Sequence, residues 1–240
     1  MKLEIEFELK KNELPIEYRR VFMHVLKKCL IDIKHSNYYD KYYELSKSKN
    51  FTFSVQLNKP KFEKEKVLLG GNILKLHFST SEELTGYIFY CSFLEHKNIN
   101  FELPENNNMK ITKVTKLKES MINNNCAIIK FSSPLAIREH YSDNKDKYYS
   151  FSDDKFISKF QMVVKNQLIK EGFKNELTEN IRLEFIQPKK TVVKHYDVFI
   201  ESTLGVFKLH ADKMILNYLS KAGLGSRKSE GFGMFQIIES

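Results

Sequence analysis

Gly223-Leu224-Gly225-Ser226-Arg227-Lys228-Ser229-Glu230-Gly231-Phe232-Gly233 is the most specific stretch of this 240-residue chain. Four of its nine glycines fall in these eleven residues, as two Gly-apolar-Gly pairs around a polar centre that holds Arg227 and Lys228. Glycine tolerates positive φ and lets a second backbone come close. Two such pairs predict an ordered loop and exceed what a plain turn needs. Its direction excludes the common nucleotide loops, which run from a strand into a helix and end in Gly-Lys-Ser/Thr or keep dinucleotide spacing. This loop runs from a helix into a strand.

The helix before it spans about Ala211 to Lys221 and carries Ile215, Tyr218 and Leu219 on one stripe. The strand after it runs from Phe232 to Ile238. Further upstream, Ala127 to Phe131 reads as a strand. Ser152 is placed to cap a helix with Asp153 and Asp154 in its first turn. Phe156, Phe160, Val163, Val164 and Leu168 form that helix's stripe, and Gly172 suits its stop. Ile181 to Ile186 and Tyr196 to Ile200 supply two strands. The order is β-α-β-β-α-β.

The same order precedes the polar break at Asn123 to Asn125. Leu3, Ile5, Phe7 and Leu9 alternate with charged residues, as in a half-buried strand. Pro15 opens a helical pattern whose stripe is Val21, Phe22, Val25, Leu26, Cys29, Leu30 and Ile33. A Tyr-rich stretch follows, then strands at Phe51 to Leu57 and Ile73 to Phe78, with a basic connector from Asn58 to Gly71 between them. Thr80 and Glu83 have capping-box spacing for a helix through Leu84, Tyr87, Ile88 and Cys91. Met109 to Leu117 closes the unit. The chain therefore predicts an α+β fold of two tandem ferredoxin-like sandwiches, residues 1–122 and 126–240, with the loop 223–233 in the second. The halves share element order and no residue-by-residue similarity.

Thirty-nine Lys and Arg against 30 Asp and Glu leave a formal charge of +9, which favours a polyanionic partner. Only five of the basic residues are Arg, so a Lys-rich, simply soluble surface reads the same way. Cys29, Cys91 and Cys126 match no zinc spacing, and their odd number builds no complete disulfide framework. Cys29 and Cys91 are expected in the core. No apolar run spans a bilayer and no signal peptide opens the chain, so no membrane association and a cytoplasmic setting are expected.

Gly-apolar-Gly, five residues, Gly-apolar-Gly near the C-terminus resembles the signature loop of the CRISPR repeat-processing endoribonucleases, the sixth Cas family. The tandem element order agrees. So do Phe131-Ser132-Ser133-Pro134-Leu135-Ala136-Ile137-Arg138, similar to the family's segment at the start of the second half, and Phe51-Thr52-Phe53-Ser54, similar to the strand after its first helix. The resemblance implies cleavage of CRISPR precursor RNA by a ribose 2′-hydroxyl. The products are a 2′,3′-cyclic phosphate and a 5′-hydroxyl, with no metal and no cofactor. It implies CRISPR repeat RNA as the partner, and leaves open other Cas proteins of an interference complex and a homodimer.

Such a reaction needs a base, an acid, and positive charge on the phosphorane. His35, where the first helix loses its stripe, is the leading candidate for proton transfer. His24 is a weaker one. Tyr42 lies seven residues after His35, about two helical turns. Counted from Phe51-Thr52-Phe53-Ser54, Tyr43 falls where the family keeps its His, and Lys49 where a Lys completes the site. Lys27, Lys28 and Lys34 are further cations. RNA contacts are expected from Lys28, Gly223, Gly225, Arg227, Lys228, Gly231 and Gly233, and from Lys190 in the segment Lys189, Lys190, Lys194 and His195. The connector Lys59 to Lys66 is a second basic surface. Two other readings stand beside the enzyme. One is a catalytically inactive RNA-binding subunit of an interference complex. The other is a general RNA-binding sandwich that stacks bases on Phe51, Phe53, Phe78 and Phe131.

Overall fold

The computed structural model describes residues 1–31, 38–43, 49–143 and 145–240. In the first half the elements are β1 (Lys2–Leu9), β2 (Glu13–Pro15), α1 (Tyr18–Ile31), α2 (Tyr38–Tyr43), β3 (Phe51–Gln56), β4 (Lys61–Phe62), β5 (Lys66–Leu68), β6 (Ile73–Thr80), α3 (Glu83–Glu95), β7 (Asn100–Leu103) and β8 (Asn107–Lys116). The second half comprises β9 (Cys126–Phe131), β10 (Ile137–His140), β11 (Asp146–Tyr149), α4 (Phe156–Lys170), α5 (Asn175–Thr178), β12 (Arg182–His195), β13 (Val198–His210), α6 (Lys213–Ala222) and β14 (Phe235–Glu239).

The main sheets run β3-β6-β1-β8-β7 and β12-β13-β9-β14. With β7 set aside as an added edge strand, both place the first strand of the unit between the third and the fourth. That is the ferredoxin-like order, and the chain is two such sandwiches in tandem. The alternation in β1 buries Leu3, Ile5, Phe7 and Leu9. Against that face α1 lays Phe22, Leu26, Cys29 and Leu30, all fully buried. Phe22, Leu26 and Leu30 each contribute on the order of 1.5–3 kcal/mol of burial. The first core gathers residues from Met1 to Ile111, and the second from Ile122 to Phe235. Ile122 packs with the second half, where Asn217 Nδ2–H donates to its carbonyl at 2.8 Å.

Several local expectations are corrected. Pro15 closes β2, a short strand paired with β5, and the helix begins only at Tyr18. The connector between β3 and β6 is not a plain loop, because β4 and β5 join β2 in a small sheet. Thr80 does not cap α3: the N-cap is Glu82, with no side-chain cap bond, and the Thr80 hydroxyl donates to Asn50 O at 2.8 Å. That helix is apolar all round. Phe89 and Phe93 face the sheet, while Leu84, Tyr87 and Cys91 are exposed, so Cys91 is not a core residue. Ser152 does not cap α4 either. Asp153 instead closes a turn by accepting the Ser150 N–H at 2.7 Å, and the helix starts at Phe156. Tyr196 is not in a strand. It turns the long β12–β13 hairpin together with Asp197, both at positive φ.

Candidate functional site

The glycine loop is built where the halves meet. Gly223, Gly225, Gly231 and Gly233 all have positive φ. At Gly233 the need for glycine is absolute: a Cβ would stand 1.9 Å from the Leu224 carbonyl oxygen. The loop closes on itself through Leu224 N–H donating to Gly233 O at 2.9 Å. The segment from Phe131 to Arg138 holds it from one side. Gly233 N–H donates to Pro134 O, and Ser226 N–H to Ala136 O, both at 2.8 Å. First-half side chains hold it from the other. The Thr52 hydroxyl donates to Phe232 O at 2.8 Å, and Arg19 Nε–H to Gly231 O at 3.2 Å. Gln167 of α4 brackets the first pair: its Nε2–H donates to Gly223 O at 2.9 Å, and its Oε1 accepts the Gly225 N–H at 3.2 Å.

Arg227 sits at the loop's tip with φ 56. Its guanidinium is spent inside the protein. It donates to Tyr148 Oη at 2.5 Å, Glu230 Oε2 at 2.7 Å and Asp146 Oδ2 at 3.3 Å. Its placement makes it a strut of the loop rather than an open RNA contact. Glu230 also accepts from His195 Nε2 at 2.8 Å. Burial opposes ionisation of Glu230, but the hydrogen bonds from His195 and Arg227 outweigh it and hold the carboxyl below its ordinary range. His195 is fully buried, so it is not part of an exposed basic surface. Lys190 and Lys194 lie within ion-pair distance of Glu201 and Asp197, at 2.9 and 3.9 Å.

A cleft of about 760 Å³ opens beside the loop, lined by Lys49 from the first half, by residues 225–230, by Arg138 and His140 of β10, and by α4. Lys49 faces Glu230 and Lys27. Burial lowers its amine's pKa, and the Glu230 carboxylate offsets part of that. The Lys27 and Lys49 amines lie 5.1 and 5.2 Å from the ring centre of Tyr43. The Tyr43 hydroxyl is buried and has no hydrogen-bond partner among the described residues. Burial pushes its pKa up, so Tyr43 is no base at neutral pH. Lys228 also lines the cleft, 6% exposed, its amine without a partner among the described residues.

Other expected residues fall elsewhere. Tyr42 is a core residue: its ring packs on Phe51 and Phe89, and its hydroxyl is bonded to Thr85 Oγ1 at 2.6 Å. The Lys28 amine sits over Phe101 of β7, the edge of the first sheet opposite β3, and it is β3 that meets the loop. His24 lines a separate pocket of about 500 Å³ with Arg20, Lys27 and Tyr196. Phe51, Phe53, Phe78 and Phe131 are all buried, which removes them as stacking platforms. His35 and Lys34 lie outside the described residues. The sequence singles out neither Gln167 nor the His195–Glu230 pairing, since both act through contacts distant in sequence. Only Glu230, the lone carboxylate of the loop, carried a signal.

Fold and cleft define a tandem ferredoxin-like protein whose two halves share one glycine-lined, lysine-bearing site. Residues 115–237, half of the chain, match the family model for the C-terminal part of CRISPR-associated protein Cas6. The chain belongs to the Cas6 family. A Cas6-related protein of Pyrococcus furiosus has the same fold, with 21% identity and a TM-score of 0.85 over 100% of this chain and 99% of that one. A RAMP protein that binds different RNA substrates is similar over 100% of both chains, at 18% identity and a TM-score of 0.84. A Cas6 product complex aligns with 99% of this chain and 100% of its own, at 14% identity and a TM-score of 0.72. No curated protein matches in sequence. No helix among the described residues is long and apolar enough to cross a membrane.

Proposed function

We propose that the chain binds CRISPR repeat RNA in this cleft and cuts it within the repeat, without a metal, to release guide RNAs. The carrying observation is the convergence of Tyr43, Lys49 and Glu230 where the glycine loop closes on the first half. A base removes the 2′-hydroxyl proton, the O2′–P bond forms, and the P–O5′ bond breaks. A proton reaches the departing oxygen, leaving a 2′,3′-cyclic phosphate and a 5′-hydroxyl. His35 is the group for proton transfer. Tyr43 donates a hydrogen bond to the phosphate, and Lys49 and Lys27 neutralise the phosphorane.

The test incubates repeat RNAs with the protein in EDTA and identifies the end groups. Replacing the ribose upstream of the cut by 2′-deoxyribose abolishes cutting and preserves binding. Cutting that persists excludes internal attack. His35→Ala slows single-turnover cutting severely, and an unchanged rate moves the role to His24 or the tyrosines. A second reading, an RNA-binding subunit that does not cut, is favoured by Tyr43 standing where the family keeps its His. RNA shifted on a gel but left whole supports that reading.

A further inference from the structure

Lys228 is out of keeping with the rest of the loop. The loop's other charges are half-buried and paired: Glu230 by His195 and Arg227, Arg227 by Asp146 and Tyr148. Lys228 has a buried amine with no acceptor among the described residues. A buried ammonium without an acceptor is costly. Burial pushes its pKa down to about 8, with only the more distant Glu171 carboxylate opposing.

The wall facing it is the exposed side of α4. Asn166 and Lys170 line the cleft there, and Lys170 makes no ion pair among the described residues. Ser229 adds a hydroxyl from the loop side. The two carboxylates that line this cleft are already engaged, and Glu171 lies outside its lining. Glu139 is held by Lys159 and Tyr149, and Glu230 as above. Unspent ammonium, amide and hydroxyl donors around one void, with no free carboxylate among its lining, suit a phosphodiester.

We propose that the gap between α4 and the glycine loop is a second phosphate site, where Lys228, Lys170, Asn166 and Ser229 hold one backbone phosphate of the RNA away from the cut. This rests on the RNA-binding reading above. Binding draws the Lys228 amine into a pair with the phosphate, so the loop's unsatisfied charge becomes a contact made only when RNA is present.

The probe is a fluorescein-labelled 2′-O-methyl decauridylate, which lacks the attacking hydroxyl, titrated by anisotropy against the full chain at several salt concentrations. Lys170→Glu and Lys228→Met are each expected to weaken binding about tenfold and to lower the slope of log K on log salt by about 0.7, the loss of one single-strand phosphate contact. The double variant is expected to lose no more slope, because both lysines share that phosphate. Wild-type affinity falls as pH rises from 7 to 9, and Lys228→Met flattens this. Lys49, Lys170 and His140 are the other Lys and His groups lining the cleft, so a decline that survives Lys228→Met unchanged removes Lys228 from the site.

Lys170 is exposed, so Lys170→Glu decides the matter if Lys228→Met does not fold. Unchanged affinity and slope in Lys170→Glu, while the wild type still cuts repeat RNA, overturns this site and leaves the RNA reading standing. A wild type that binds neither decamer nor repeat overturns both. Inorganic pyrophosphate that binds the wild type where the decamer does not assigns the gap to a free phosphate and overturns the RNA site.

Discussion

Tyr42 and Tyr43 are neighbours in α2 with opposite hydroxyl environments: Tyr42 is bonded to Thr85 Oγ1 at 2.6 Å, and Tyr43 is buried without a partner among the described residues. Tyr42→Phe should destabilise the fold by about 1 kcal/mol and leave cutting unchanged. Tyr43→Phe removes an unsatisfied polar atom, so stability should hold or rise by up to about 1 kcal/mol while cutting slows. Urea denaturation and single-turnover cleavage check the pair. Equal effects of the two substitutions on cutting would remove Tyr43 from the site.

Glycine substitutions separate sterics from backbone strain. At Gly233 a Cβ meets the Leu224 carbonyl oxygen at 1.9 Å, while at Gly172, φ 87, it meets nothing within 4 Å. Gly172→Ala should cost about 1 kcal/mol. Gly233→Ala should cost more than roughly 4 kcal/mol or prevent folding. Thermal melts of the two variants measure the difference.

Gln167 spans Gly223 and Gly225 with both ends of its amide. Gln167→Leu keeps the side chain's bulk and leaves one carbonyl and one N–H of the loop unanswered. The expected loss is about 1–3 kcal/mol, with weaker repeat binding. Gln167→Glu keeps only the acceptor half and should fall between. RNA affinity unchanged in Gln167→Leu would show that the loop needs no bracket.

The lowered Lys228 pKa carries a sign. The unfolded amine titrates near 10.5 and the folded one near 8, so the charged form costs stability at all pH below about 8. That cost is relieved as pH rises from about 8 towards 10.5. Lys228→Met should therefore be more stable than the wild type at pH 7, by roughly 3 kcal/mol, with the advantage shrinking above pH 8. Tm values at pH 7 and pH 10 test this narrowing.

The fold was legible because periodicity survives without context. Leu3, Ile5, Phe7 and Leu9 announce a strand, and Phe156, Phe160, Val164 and Leu168 a helix face, whatever packs against them. Misplaced elements failed where local signals compete. Pro15 suits a helix start and also a strand end, and α3 is apolar on too many sides for spacing to pick the buried one. Arg227 read as an open cation because nothing in the sequence near it reveals Asp146 and Tyr148, some eighty residues upstream.

Glycine spacing and the doubled β-α-β-β-α-β order by themselves determined the architecture and the place of the loop, since positive φ and side-chain alternation are properties of single residues and their nearest neighbours. Only the tertiary structure decided which cations are free. Whether a lysine or arginine is spent or available depends on the acceptor that folding brings beside it. That separates Arg227, tied on three sides, from Lys228 in the same loop, which has no acceptor among the described residues.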